Sequence, residues 1–302
     1  MSHARQLCRA FSLVELLVAI SIVSLLVAIG IPSLARVRSN AAEATCLENL
    51  RQLTMASAAY ATEDASTLLL PAHPISDVNE LHDEGFFDYG GGTGAENIWS
   101  GARWGKQSSR RAETRPLNRM LFGQVGANAD YSLFRCAADF GLPPREYVGA
   151  GDYWDGAMEN QPMHVSVGTS YWGNAYRGIG STGTDQAKRF WSVSVFLRPA
   201  FRVPSPSETV LYGEAIAWEQ IALTGNAGGG AAFMLRGTES WHRGGRFNLS
   251  FADGHARTLR LLSGFLHQGS EPGNSPLALL QIRGAGFRFD CRPDALIVDK
   301  PE

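Results

Sequence analysis

The stretch Phe11-Ser-Leu-Val-Glu15-Leu-Leu-Val-Ala-Ile20-Ser-Ile-Val-Ser-Leu-Leu-Val-Ala-Ile-Gly-Ile31, followed by Pro32, holds a single charged side chain. At about 1.5 Å of rise per residue, a helix of this length spans about 30 Å, the thickness of a bilayer hydrocarbon core. Residues 1–10 ahead of it are polar, with Arg5, Arg9 and no acid, a flank that keeps an amino terminus in the cytoplasm and sends the following chain outward. The run is longer than the apolar region of a signal peptide, and no Ala-x-Ala site stands at its far end. Its oddity is Glu15. A carboxylate costs about 2.5–3.5 kcal/mol near a bilayer centre and less toward the edge, so it needs a partner. A free amine at residue 11 would supply one if the chain were cut just before Phe11.

The string Ala10-Phe11-Ser12-Leu13-Val14-Glu15-Leu16 resembles the processing site of type IV prepilins and type II secretion pseudopilins. The resemblance implies that a prepilin peptidase cuts between Ala10 and Phe11 and methylates the new amine, leaving Glu15 as the fifth mature residue. Ala10 stands where that family usually has Gly. It also implies that Phe11 and Glu15 carry assembly, the carboxylate meeting the amine of a neighbouring subunit, and that Pro32 shapes the helix. Partners implied are the peptidase, other pilin or pseudopilin subunits, an inner-membrane assembly platform and membrane lipid.

Working outward, 33–64 contains no Gly or Pro and is rich in Ala, Leu, Arg and Glu, mostly helix formers. Leu47, Leu50, Thr54, Ala58 and Ala61, with Leu53 beside them, follow the spacing of one packed face. The expectation is one long helix with an apolar first half and an amphipathic second half, bent or locally broken at Pro32. Beyond Asp64 the composition turns to Gly, Pro, Asp and aromatics. Short apolar runs at 190–196, 209–212, 231–235, 247–251, 257–262 and 287–289 are candidate strands. Phe247-Asn-Leu-Ser-Phe251 alternates apolar and polar residues, and Ala252-Asp253-Gly254-His255 is a hairpin turn in which Asp-Gly adopts positive φ. An antiparallel sheet laid on the amphipathic half of the helix makes the fold class α+β. The organisation is then a leader at 1–10, a helix at 11–64 (membrane-spanning over 11–31, amphipathic over 32–64) and a β-rich head with long loops at 65–302.

The head also resembles a pilin-like family expanded in planctomycetes, named for a His, nine residues and Asp-Gly. The elements that carry this are Cys46 to Tyr60, Phe134-Arg-Cys136-Ala-Ala-Asp139, Ser170-Tyr-Trp-Gly-Asn174, Pro204-Ser-Pro-Ser-Glu-Thr-Val210, and His242 followed by Asp253-Gly254-His255. Ten residues rather than nine separate His242 from Asp253, and Ala137 stands where Pro is usual.

For metals, His242, Asp253 and His255 form a conceivable zinc set, against which Asp253-Gly254 is explained by turn chemistry and His242 by a loop hydrogen bond. Calcium in a carboxy-terminal loop is the other metal considered, although no Asp/Asn ladder matches it. The expectation is therefore no cofactor. After removal of Cys8 with the leader, Cys46, Cys136 and Cys291 remain. A Cys46–Cys136 disulfide tying helix to head and three reduced thiols are the alternatives.

Arg103, Lys106, Arg110, Arg111, Arg115 and Arg119 form one basic cluster, read as a solvated loop or a contact to an acidic neighbour rather than a nucleic-acid site. The 27 basic and 29 acidic side chains of the whole chain give a net charge of −2, no field for a polyanion. Gly90 to Gly94 and Gly225 to Gly230 lack a phosphate-loop ending and are taken as surface spacers. Tyr153, Trp154, Tyr171, Trp172, Trp191, Trp218 and Trp241 are mostly core anchors rather than a sugar platform. No nucleophile or metallohydrolase motif occurs, and Glu208 and Glu214 cannot be paired from sequence. The chain is expected to be a non-enzymatic subunit of a type IV pilus or type II secretion pseudopilus, anchored in the inner membrane with its head periplasmic or on an extracellular filament. The alternative is a membrane-anchored envelope protein with a ligand-binding or hydrolytic head that never polymerises.

Overall fold

Helix α1, Leu13–Glu63, takes in both the apolar and the amphipathic stretch and carries Pro32 inside it. The expected break at the proline is absent, because losing one N–H from a long hydrogen-bond ladder does not by itself end the helix. The computed structural model describes residues 12–71, 87–95, 110–126, 129–141, 161–174, 195, 198–217, 240–261 and 282–283. Of the expected strands, 231–235 and 287–289 lie outside these residues, as does most of 190–196.

The chain divides into two units, Met1–Ala41 and Ala42–Glu302. In the first, the large apolar side chains from Leu13 to Val37 are exposed, Leu13 at 78%, and the helix is long and apolar enough to cross a membrane. Its start is fixed by a reciprocal cap. The Ser12 N–H donates to Glu15 Oε2 at 2.9 Å and the Val14 N–H to Ser12 Oγ at 3.3 Å. The Ser-x-x-Glu pattern of a capping box is therefore present, with the serine hydroxyl reaching the second helical amide.

Among the described residues, the second unit holds five antiparallel strands in the order β1-β2-β3-β4-β5: β1 Tyr171–Gly173, β2 Val210–Glu214, β3 Arg246–Phe251, β4 Ala256–Leu261 and β5 Ile282–Arg283. With the long helix before it, this is an α+β layout. Strand β3 pairs with β4 from Arg246↔Arg260 to Ser250↔Ala256 and with β2 through Gly213↔Leu249. The β3–β4 turn departs from expectation at Asp253, because only Gly254 has positive φ, +98°. The Gly254 N–H donates to Phe251 O, and the Phe251 N–H donates to His255 O, both at 2.9 Å. Three loop residues therefore form an ordinary turn closed by a left-handed glycine, a combination that matches strand twist without a second positive φ.

The carboxy-terminal part of α1 meets this sheet through polar as well as apolar groups. Cys46, Leu50, Leu53, Thr54, Ser57 and Ala61 are buried, whereas Ala58 is exposed and Leu47 only partly covered. The packed face is thus rotated from the expected one. The sheet supplies the reason: Thr54 Oγ1 donates to Ser250 Oγ at 2.8 Å, and Ser57 Oγ shares a 2.5 Å hydrogen bond with the Tyr212 hydroxyl. Side chains two apart on a strand share a face, so Tyr212 and Glu214 on β2, and Asn248 and Ser250 paired beside them on β3, lie on one polar face, which meets the helix. Phe247, Leu249 and Phe251 fill the core on the other side.

A short helix α2, Pro116–Leu121, a one-turn helix α3, Met163–Ser166, and 3-10 turns at Ala112–Thr114, Ser132–Phe134 and Ala200–Arg202 also belong to the described head. The 87–92 segment is packed rather than a spacer: Tyr89, Asp88 and Phe87 are fully buried. Gly91, at φ +95°, sits so close to Gly168 that a Cβ would lie 2.3 Å from its carbonyl oxygen. That approach is open only to glycine. Gly225 to Gly230 lie outside the described residues.

Candidate functional site

Two groups of residues carry chemistry. The first is the start of α1, where Ser12 and Glu15 form the cap above and Pro32 lies within the same helix. Ala10 and Phe11 lie outside the described residues. Glu15 is exposed, and apart from the Ser12 amide its carboxylate is free to meet another group.

The second group is buried, and four separate elements build it. Cys46 comes from α1, Cys136 from the turn after 132–134, Glu214 from the end of β2, and His242 from the bridge residue that precedes β3. Cys46 and Cys136 form a disulfide with Cα atoms 5.2 Å apart and a sequence separation of 90. A bridge over a loop of that length constrains the unfolded chain by about 4.6 kcal/mol in the chain-entropy account. Against the disulfide lies His242, its Nε2 3.7 Å from Cys136 Sγ and 2.7 Å from Glu214 Oε1. Asn248 Nδ2 donates to the same Glu214 oxygen at 3.0 Å, and its own Oδ1 accepts from the Thr258 hydroxyl at 2.6 Å, which fixes the orientation of the amide.

Each of these elements is held in turn. The Cys136 N–H donates to Ser170 Oγ, whose hydroxyl donates to Asp139 Oδ2 at 2.6 Å. Trp241 Nε1 donates to Gly141 O at 2.8 Å, anchoring the residue next to His242. Glu214 and His242 are 0% and 1% exposed, and burial pushes the Glu214 carboxyl up from its ordinary value, opposed by His242 and Asn248. Among the described residues, Glu214 Oε2 and His242 Nδ1 have no hydrogen-bond partner, an expensive condition for a polar atom this deep. The donor atoms of Cys46, Cys136, Glu214 and His242 all lie within 4.8 Å of one another.

The set His242, Asp253, Gly254 and His255 is not brought together. Strand β3 separates His242 from the turn by its own length, about 20 Å at the usual rise. His255 instead lies with its Nδ1 2.6 Å from Asp253 Oδ1 and stacks on Phe251 with ring centroids 4.3 Å apart. The sequence signal for the real cluster was weak: Glu214 stood alone among strand residues, and no spacing rule links positions 46, 136, 214 and 242.

The basic cluster is solvated only in part where it is described: Arg111 and Arg119 are exposed, as a solvated loop requires, whereas Arg115 and Arg110 are drawn inward. Arg115 is fully buried and donates to the carbonyls of Phe87, Gly90 and Val167 at 2.7–2.9 Å. Arg110 pairs with Asp88, and Arg111 with Glu113 at 3.7 Å. Arg103 and Lys106 lie outside the described residues. Tyr171, Trp172 and Trp241 are buried core residues, while Tyr153, Trp154, Trp191 and Trp218 fall outside, as does Cys291.

Comparison with known proteins gives one match. Residues 5–31 fit a family model described as the prokaryotic N-terminal methylation motif. No curated protein and no solved structure matches the chain. The methylation motif supports a prepilin-like signal that implies processing by a peptidase, and with the exposed apolar helix it is consistent with membrane anchoring.

Proposed function

We propose that the chain is a prepilin-like structural subunit. Prepilin peptidase cuts after Ala10 and methylates the amine of Phe11, and the apolar part of α1 holds the product in the inner membrane with the amino terminus cytoplasmic and the head periplasmic. Helix packing against other subunits, driven by an assembly platform, then draws it into a type IV pilus or a type II secretion pseudopilus. The observation that carries this reading is the methylation motif over 5–31, whose part from Leu13 onward lies on an exposed apolar helix with Glu15 in its first turn.

In this reading the Glu15 carboxylate pairs with the methylated amine of a neighbour's Phe11, a charge-assisted contact that gains strength in a low-dielectric helix bundle. The head is a non-catalytic domain of the His, nine-residue, Asp-Gly kind, supported by the order of its sequence elements. Intact-mass measurement on the membrane-extracted protein tests the proposal. The expected mass lacks residues 1–10 and carries one extra methyl group; a chain retaining residues 1–10 overturns it.

A further inference from the structure

The geometry points to a second chemical state of the buried cluster: with Cys46 and Cys136 as thiols, their sulfurs, His242 Nε2 and a Glu214 carboxylate oxygen form a four-coordinate site for a zinc ion. The argument starts from the donors. Four-coordinate zinc takes thiolate at about 2.3 Å and imidazole or carboxylate at about 2.0–2.2 Å, which places neighbouring ligand atoms about 3.3–3.8 Å apart. Here Cys136 Sγ is 3.7 Å from His242 Nε2, which in turn is 2.7 Å from Glu214 Oε1, and all four donors fall within 4.8 Å. Opening the sulfur–sulfur bond and letting His242 and Glu214 separate by less than an ångström therefore leaves a cage of tetrahedral size.

The second argument is polar satisfaction. A disulfide neither donates nor accepts strongly, so it gives no reason for a carboxylate and an imidazole to be buried beside it. Yet Glu214 Oε2 is buried with no hydrogen-bond partner among the described residues. A divalent cation gives the second Glu214 oxygen a partner and the buried carboxylate a positive counter-charge. The surrounding groups already behave as an outer shell, with Asn248 holding Glu214 and Thr258 holding Asn248, the kind of support that orients metal ligands. Two thiolates with an imidazole favour zinc over the hard cations calcium and magnesium.

Disulfide and metal compete for the same two sulfurs, so the states are exclusive. With a phosphine as reductant, phosphorus attacks one sulfur and the electron pair enters the other. Water then supplies the oxygen of the phosphine oxide and the two protons of the thiols. Zinc binding expels those two thiol protons, the proton between His242 Nε2 and Glu214 Oε1 passes to Nδ1, and the freed Nε2 turns to face the ion.

The test uses the full-length chain in detergent with Cys8→Ser and Cys291→Ser, so that only the buried pair remains. One half is kept oxidised and the other is reduced with a phosphine. Both are equilibrated with zinc sulfate, freed of excess by gel filtration and assayed for metal. The reduced protein should retain about one zinc per chain and the oxidised protein none above background. Cobalt in place of zinc should give thiolate charge-transfer and tetrahedral visible bands, and His242→Ala should weaken retention about 10- to 100-fold. Near-uv circular dichroism follows the fold: if reduction alone loosens the head, zinc should restore it. Equal zinc in the two halves, no restoration of a loosened head, or unchanged zinc in a chain carrying both Cys46→Ser and Cys136→Ser would overturn the proposal.

Discussion

The Glu15 carboxylate has two uses that a pair of substitutions separates. In the chain itself it accepts the Ser12 N–H at 2.9 Å; in the proposed filament it meets the cationic amine of Phe11 on a neighbour. Glu15→Gln keeps an acceptor for the cap and removes the charge, whereas Glu15→Ala removes both, at a cost of about 1 kcal/mol for the lost cap. That cost is small against the burial of the apolar helix in a bilayer, so both variants should insert normally. Neither should incorporate into filaments, as measured in the sheared surface fraction, if the charge is what assembly uses. Normal incorporation of the Gln variant would leave the carboxylate with its capping role alone. The Ser-x-x-Glu pattern at 12–15 is legible in the sequence as a local capping signal, and it stands beside the stronger signal of a carboxylate in an apolar stretch. Glu214 was illegible for the opposite reason, since nothing near it in the chain bears on its chemistry. Its partners come from 28 residues away at His242 and 34 away at Asn248.

At the scale of elements, α1 tests how far a periodic pattern fixes a face. A spacing of three and four residues fits two adjacent stripes of the same helix, and apolar content favoured the one through Ala58. The sheet keeps Leu50, Thr54 and Ala61 of that stripe and takes Cys46 and Ser57 in place of Leu47 and Ala58, because Cys136 bonds the one and the Tyr212 hydroxyl meets the other. Leu50→Ala should therefore destabilise the head by about 2–5 kcal/mol as a fully buried truncation, and Ala58→Ser should change stability by less than about 0.5 kcal/mol as a surface change. Urea denaturation of the two variants measures both, and comparable losses would restore the originally expected face. The hairpin was readable from Asp253-Gly254 because a turn is local chemistry. Strand β1, only three residues long, was not, because its extended backbone is held by pairing with β2 rather than by its own pattern.

For the whole molecule, the anchoring segment and the head obey different solvents. Ile22→Lys places a cation near the middle of the 11–31 stretch, at a cost of about 2.5–3.5 kcal/mol in a bilayer, and leaves the residues of the second unit untouched. The variant protein should shift from the membrane pellet toward the soluble fraction under alkaline carbonate extraction; full retention would show that something other than this helix holds the chain. The sequence by itself determined the apolar span, the acid in its first turn, the amphipathic continuation and the α+β class, because each depends on neighbours along the chain and on periods of 2 or 3.6 residues. Only the tertiary structure decided which helix stripe is buried, that Arg115 lies in a cage of carbonyls, and that Cys46, Cys136, Glu214 and His242 converge. Those outcomes depend on which donors and acceptors folding carries into a space without water, where every polar group must find a partner supplied by a distant part of the chain.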